Sequence, residues 1–324
     1  MEEELFDVPI SFHVFNRPET TRKVFDKIRE IRPKKLFITA DGPRENNPLD
    51  VKKCEQVRAI ISKVDWKCEL RTNFSNVNKG SFRATSDGIT WVFKHVDKAI
   101  FLEDDCVPHN SFFRFCRELL NYYERDTRIS LISGTDFQYK SEVKSYSYYF
   151  SRHTHLWGWA TWKRTWEHVD FTMANWPEYR DNNGLDVIFR YKHEVLYWKK
   201  IMQEMYDKKK GPHWDYLLLL SMYMNNTVAI RPTLNLISNN GYGEDATHFD
   251  IKRVIQDVKV VGMNFPLNHP EYICRDVNAE MVSERLEFSG GLKRFLIDKV
   301  GFALPENIQV IIRVVFKKMR SYRY

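Results

Sequence analysis

The stretch "KAIFLEDDCVPH", residues 98–109, decides how the chain reads. An apolar run at 99–102 is followed by three consecutive acids, Glu103, Asp104 and Asp105, and then by Pro108. That pattern predicts a β-strand that ends on clustered negative charge. Upstream, "VPISFHVF" (8–15) predicts a first strand, and "RPETTRKVFDKIREI" (17–31) a helix with Pro18 in its first turn and apolar residues at 24, 25, 28 and 31. "KKLFITADG" (34–42) is a second strand ending in a turn, "NPLDVKKCEQVRAIISKV" (47–64) a second helix, and "KCELRTNF" (67–74) a third strand. "SFRATSDGITWVFKHV" (81–96) is helical, and "KAIFLEDD" is then the fourth strand. The alternation is that of an α/β protein with a mostly parallel sheet, flanked by helices and joined by right-handed crossovers. In open sheets of this type, ligands bind beyond the carboxyl ends of the strands. Arg17, Asp41, Asn78 with Lys79, and the acids at 103–105 all fall just past strand ends, so they are expected to converge on one crevice.

Composition bounds what that crevice serves. A chain of 324 residues that is 43% hydrophobic and 15% aromatic buries a sizeable core and is not disordered. No run approaches the roughly 20 apolar residues of a membrane-spanning helix. The start, "MEEELFDVPI", is acidic where a secretory signal is basic and then apolar, so a cytoplasmic protein is expected. Five cysteines (54, 68, 106, 116 and 274) without CxxC spacing argue against a disulfide framework and a structural zinc site. The net charge of +7 points to a polyanionic partner: nucleic acid, an anionic membrane or a phosphorylated small molecule. Most of that charge lies in "SGGLKRFLIDKVGFALPENIQVIIRVVFKKMRSYRY" (289–324), where eight Lys and Arg face two acids beside abundant apolar residues. This basic amphipathic C-terminal tail either lies on an anionic membrane surface or packs on the main domain with a solvated basic end. Charge concentrated in a tail, rather than spread over a face, speaks against nucleic acid. The expected organisation is a catalytic domain at 1–250, with halves at about 8–140 and 141–250, a connecting segment at 251–288 and the tail at 289–324.

Carboxylates clustered at a strand end repel one another unless a cation sits among them. Hard divalent cations such as Mg²⁺ or Mn²⁺ prefer carboxylate and phosphate oxygens, so a metal-bridged diphosphate fits. The alternative is that Glu103 and Asp105 are solvated turn residues while Asp104 bonds local backbone. In "NVNKGSFRATSDG" (76–88), Lys79 or Arg83 brings a cation to a diphosphate near Gly80. The same stretch also reads as a polar turn that uses Gly80 for its dihedral angles. In "KKKGPHWDYLLLLSMYM" (208–224), Asp215 stands where a loop becomes a helix, a natural N-cap position. Trp162 and Trp166, four apart, are expected on the buried side of a helix.

"VFNRPETTRKVFDKI", "FITADGPR", "FLEDDCVPHNSFFRF", "SLISGTDF", "HLWGWATWKRTWE", "HWDYLLL" and "NLISNNGYGEDATHF" occur in this order, and over roughly residues 8–250 the chain resembles GT-A nucleotide-sugar transferases. It looks most like the N-acetylglucosaminyltransferase I-like group and similar bacterial sugar transferases. The resemblance implies a GT-A, Rossmann-like fold, a nucleotide-diphosphate sugar donor with UDP as its nucleotide, and Mn²⁺ or Mg²⁺. It implies that Arg17 and Asp41 hold the nucleotide, Glu103 and Asp104 touch ribose and sugar hydroxyls, and Asp105 binds the metal. Glu103 departs from a strict D-x-D spelling at its first residue. His248 then lies near metal or diphosphate, and the glycine-rich loop at 238–247 closes over the donor. Asp215 matches the base of an inverting transfer to a glycan or lipid-linked glycan. Trp157 and Trp159, on either side of Gly158, offer aromatic faces to an acceptor sugar ring. Two other classes compete. A nucleotidyltransferase would show a glycine-rich phosphate loop near the N-terminus, and none is present. A non-catalytic nucleic-acid or membrane module has no need of the three acids.

Overall fold

The computed structural model describes residues 5–138, 145–208, 213–241, 258–286 and 288. His248, most of the 238–247 loop and the tail at 289–324 lie outside the described residues. The first part of the chain follows the expected alternation: β1 (Ile10–Val14), α1 (Pro18–Ile31), β2 (Lys35–Ala40), α2 (Pro48–Ile61), β3 (Glu69–Phe74), α3 (Gly80–Val92) and β4 (Lys98–Glu103). Then come β5 (Cys106–Pro108), α4 (Asn110–Tyr122), β6 (Ile129–Ser133), β7 (Tyr148–Ser151) and β8 (Trp159–Trp162). Three short helices, α5 (Lys163–Trp166), α6 (Trp176–Asp181) and α7 (Gly184–Ile188), precede α8 (Lys192–Tyr206) and α9 (Trp214–Met224). β9 (Val228–Pro232), β10 (Ile237–Asn239) and α10 (Val277–Leu286) complete the described elements.

Eight strands form one sheet in the order β3-β2-β1-β4-β8-β6-β9-β7. The first four are mutually parallel, β8 runs against both β4 and β6, β9 is parallel to β6, and β7 runs against β9. The result is a mixed α/β, Rossmann-like sheet flanked by helices, the architecture expected from the sequence. Strand alternation explains the two layers of core. From β4, Ile100 and Leu102 join Phe12, Ile38 and Phe113 on one face. Ala99 and Phe101 join Phe37, Val92 and Trp159 on the other. Each such side chain contributes about 1.5–3 kcal/mol on burial. Pro18 starts α1 at a position whose N–H has no intrahelical partner anyway, and Val24, Phe25 and Ile28 make its buried stripe.

One expectation needs correction. Trp162 and Trp166 do not share a helix: Trp162 ends β8 and packs in the first core, while Trp166 lies on α5 in the second. Described residues of the segment expected to connect domain and tail also contribute to the core. Met263 and Leu267 are buried in the first layer, and α10 buries Glu280, Ser283 and Glu284. The backbone N–H of Arg152 donates to Glu280 Oε1 at 2.7 Å, and His153 Nε2 lies 2.9 Å from Glu284 Oε1. Arg231, on β9, has no exposed surface and donates to Ser283 Oγ at 2.7 Å and Asp136 Oδ1 at 3.3 Å. Removing one partner of such a pair leaves the other charge buried without compensation. Arg231→Met is therefore expected to destabilise the protein by about 3–5 kcal/mol in urea unfolding, and a loss under about 1 kcal/mol would contradict this account. Among the described residues, no helix is long and apolar enough to cross a membrane.

Candidate active site

A cleft of about 1270 Å³ opens at the carboxyl ends of β1, β2 and β4. β1 and β4 are adjacent and parallel, with His13 opposite Glu103, so the turns that follow them meet. Arg17 Nη1 donates to Asp105 Oδ2 at 2.7 Å and to Asp104 Oδ1 at 3.2 Å, and Phe15 N donates to Asp104 Oδ2 at 3.0 Å. The guanidinium expected on the nucleotide thus sits on the acids themselves. Burial works against its charge, but Asp104 and Asp105 more than offset that and hold its pKa up. Burial, then Asp105, Asp104 and Asp215, push the Glu103 carboxyl up to about 8, with Arg17 pulling the other way. Asp104 is pushed up to about 6, by burial first and Asp105 next. Near neutral pH Glu103 therefore favours its protonated form, and a cation entering the cluster would displace that proton.

The residues fit a divalent cation. The ligand atoms of Glu103, Asp105 and Cys106 lie within 4.8 Å of one another. Burial pushes the Cys106 thiol well up and its Sγ lies 3.3 Å from Asp105 Oδ1, so it stays a neutral donor and leaves two carboxylates, a set suited to Mg²⁺ or Mn²⁺. β10 runs antiparallel along β5 with Asn239 opposite Cys106, and Asn240 N donates to the Asp105 carbonyl at 2.8 Å. Gly241 thereby comes to lie against the Asp105 carboxylate, where a Cβ would overlap it. The start of the glycine-rich loop is stitched to the acidic turn.

Asp41 is 8% exposed and lines the cleft, but its carboxylate already serves the backbone. Oδ1 accepts the N–H groups of Gly42 and Lys79, each at 2.8 Å, and Oδ2 accepts the Asn78 amide at 3.0 Å. Its observed task is to tie the turn after β2 to the start of α3. Gly42 makes this possible, since a Cβ there would overlap the backbone of Val77. Lys79 lines the cleft with its Nζ 3.3 Å from Asp87 Oδ2. Arg83, by contrast, is exposed and does not line the cleft. Sequence reasoning missed Arg44, whose Nε and Nη2 fork onto Asp50 at 2.5 and 2.9 Å while Asn16 donates to the same carboxylate at 2.7 Å. Arg44 holds Asp50 down to about 2. No local pattern announces this cluster, because it bridges a loop.

Asp215 lies half-buried in the first turn of α9. The N-cap residue is His213, not Asp215. The cap reading therefore fails, and Asp215 lines the cleft. Trp157 also lines it, half-buried, with its ring 5.0 Å from Phe137. Trp159 does not: it is 2% exposed and stacked between Phe101 at 4.8 Å and Trp214 at 5.8 Å. The reason is strand alternation, which turns it into the second core. Tyr197, Tyr216, His155 and Phe288 make up the wall beside Trp157. Nothing in their sequence neighbourhoods marks them.

No protein-family model matches the chain, and no curated protein matches it. Similar solved structures include a mannosyltransferase from Pyrobaculum calidifontis in complex with GDP-Man and Mn²⁺, at 11% identity and a TM-score of 0.36 over 51% of this chain and 47% of that one. UDP-glucose pyrophosphorylase complexed with UDP-glucose is similar at 10% identity and 0.31, over 50% and 78% of the two chains. Mouse xyloside xylosyltransferase 1 in its apo form is similar at 14% and 0.26, over 41% and 54%. The chain spans about half the length of the mannosyltransferase. At such identities and TM-scores neither transferase nor pyrophosphorylase activity carries over to this chain, and only its own cleft supports a functional reading.

Proposed function

We propose that this chain is a metal-dependent, inverting glycosyltransferase that moves a sugar from a nucleotide-diphosphate sugar, with UDP preferred, to a hydroxyl of a glycan or lipid-linked glycan. One observation carries this reading: Asp215 lines the same cleft as Glu103, Asp104 and Asp105, close enough to help push up the Glu103 carboxyl. A divalent cation held by Asp105, with His248 as a candidate second ligand, would supply charge to offset the diphosphate. Asp215 takes the proton of the acceptor hydroxyl, whose oxygen bonds to the anomeric carbon as the bond to the diphosphate breaks. The leaving nucleoside diphosphate departs with that electron pair, steadied by Lys79 and Arg17. Glu103 and Asp104 are assigned to sugar and ribose hydroxyls, Asp41 to the nucleotide wall, and Trp157 to stacking on the acceptor ring.

The test is a thermal-shift panel of nucleotide sugars with and without Mn²⁺, followed by an assay for released nucleoside diphosphate. Stabilisation by a sugar nucleotide that EDTA abolishes is the expected result. No stabilisation by any of them, with EDTA without effect, would sink the reading. Conversion of sugar nucleotide and pyrophosphate to nucleoside triphosphate would instead assign nucleotidyl transfer.

The tail at 289–324 suits a lipid-linked acceptor by holding the protein against anionic headgroups. The full chain is expected to co-sediment with vesicles containing phosphatidylglycerol, and to be released by about 0.5 M salt as the screening length shrinks. Equal binding to neutral phosphatidylcholine vesicles would count against an electrostatic tail.

A further inference from the structure

Building on the transferase reading, we propose that Arg17 couples cation binding to diphosphate binding, covering the acids when the donor is absent and passing to the diphosphate when both arrive. A single nitrogen, Nη1, reaches both Asp105 Oδ2 at 2.7 Å and Asp104 Oδ1 at 3.2 Å. Asp105 is the carboxylate that the cation needs, so guanidinium and cation compete for one group at close range. Both ends of the contact are fixed by backbone. Arg17 is the N-cap residue of α1 directly after β1, and Asp105 follows β4, the adjacent strand. The Arg17 side chain keeps 22% of its surface exposed and lines the cleft.

The linkage has a definite sign. A cation arriving alone must displace Arg17 and leave the guanidinium without its carboxylates, which weakens cation binding. A cation arriving with a diphosphate gives Arg17 new phosphate partners, onto which its fork fits. Each ligand therefore improves the affinity of the other by the same factor. Lys79 does not share this task, because its ammonium lies by Asp87 and its backbone by Asp41.

Isothermal titration of Mn²⁺ into the full chain, alone and with saturating UDP, measures the coupling directly. Arg17→Ala is expected to bind Mn²⁺ alone about tenfold more tightly than the unmodified protein, within the range typical of coupled sites. In the same variant, UDP should improve Mn²⁺ affinity by a smaller factor than it does in the unmodified protein. Arg17→Gln, which keeps length and hydrogen bonding but removes the charge, should behave alike and serves if the alanine variant does not fold. The inference fails if either folded variant binds Mn²⁺ no more tightly than the unmodified protein, or if the UDP effect is unchanged. If unmodified protein and variants alike ignore both Mn²⁺ and UDP, the transferase reading falls with it; Mn²⁺ and UDP binding untouched by Arg17 overturns the coupling alone.

Discussion

Asp215→Asn is expected to lower kcat by about two to four orders of magnitude while leaving Mn²⁺-dependent donor binding in place. The amide keeps the shape of the carboxylate and still accepts a hydrogen bond, but it does not take the acceptor's proton. The substitution keeps the size of the side chain, and the N-cap position of α9 is taken by His213 rather than Asp215. The lost interaction with the helix N-terminus is worth only about 0.3–1 kcal/mol, which unfolding measurements register as a minor change. Turnover within tenfold of the unmodified protein would remove Asp215 from the role of base. Loss of donor binding together with turnover would make it a binding residue instead.

The second large effect belongs to Asp105→Asn. Loss of a residue that merely orients a metal ligand costs about 10–100-fold in affinity, and loss of the ligand itself should exceed that. Mn²⁺ titration is therefore expected to show binding weakened by more than about a hundredfold, with the thermal shift produced by sugar nucleotide lost in parallel. The variant should remain folded, since Arg17 keeps Asp104 as a partner and β5 still pairs with β10. Mn²⁺ affinity within a few-fold of the unmodified protein would place the cation elsewhere.

The sequence carried the first half of the fold because each element there has its own pattern: alternation in 8–15, short apolar runs at 36–38 and 99–102, helical spacing in 17–31. Convergence of Arg17 with the acids followed from strands that end side by side. What the pairing would be did not follow, since the Arg17–Asp105 contact spans 88 residues and no local pattern encodes it. The tryptophan run misled for a different reason. Trp157 and Trp159 fit a period of two while Trp162 and Trp166 fit a helix, and in so short a stretch only the pairing of β8 with β4 and β6 decides. Glu280 and Glu284, four apart on α10, carry no local signal of burial. They are buried because Arg152 and His153 meet them from across the core.

The two walls of the cleft are written in separate parts of the chain: the charged wall before residue 106, with Asn239 and Gly241 returning to it, and the aromatic wall after residue 136. None of the intervening residues lines the cleft; they build β5, α4 and β6. Such a division lets the two walls drift independently. On the proposed transferase reading, a variant library confined to Phe137, Trp157, Tyr197 and Tyr216 is expected to change acceptor use while donor binding stays constant.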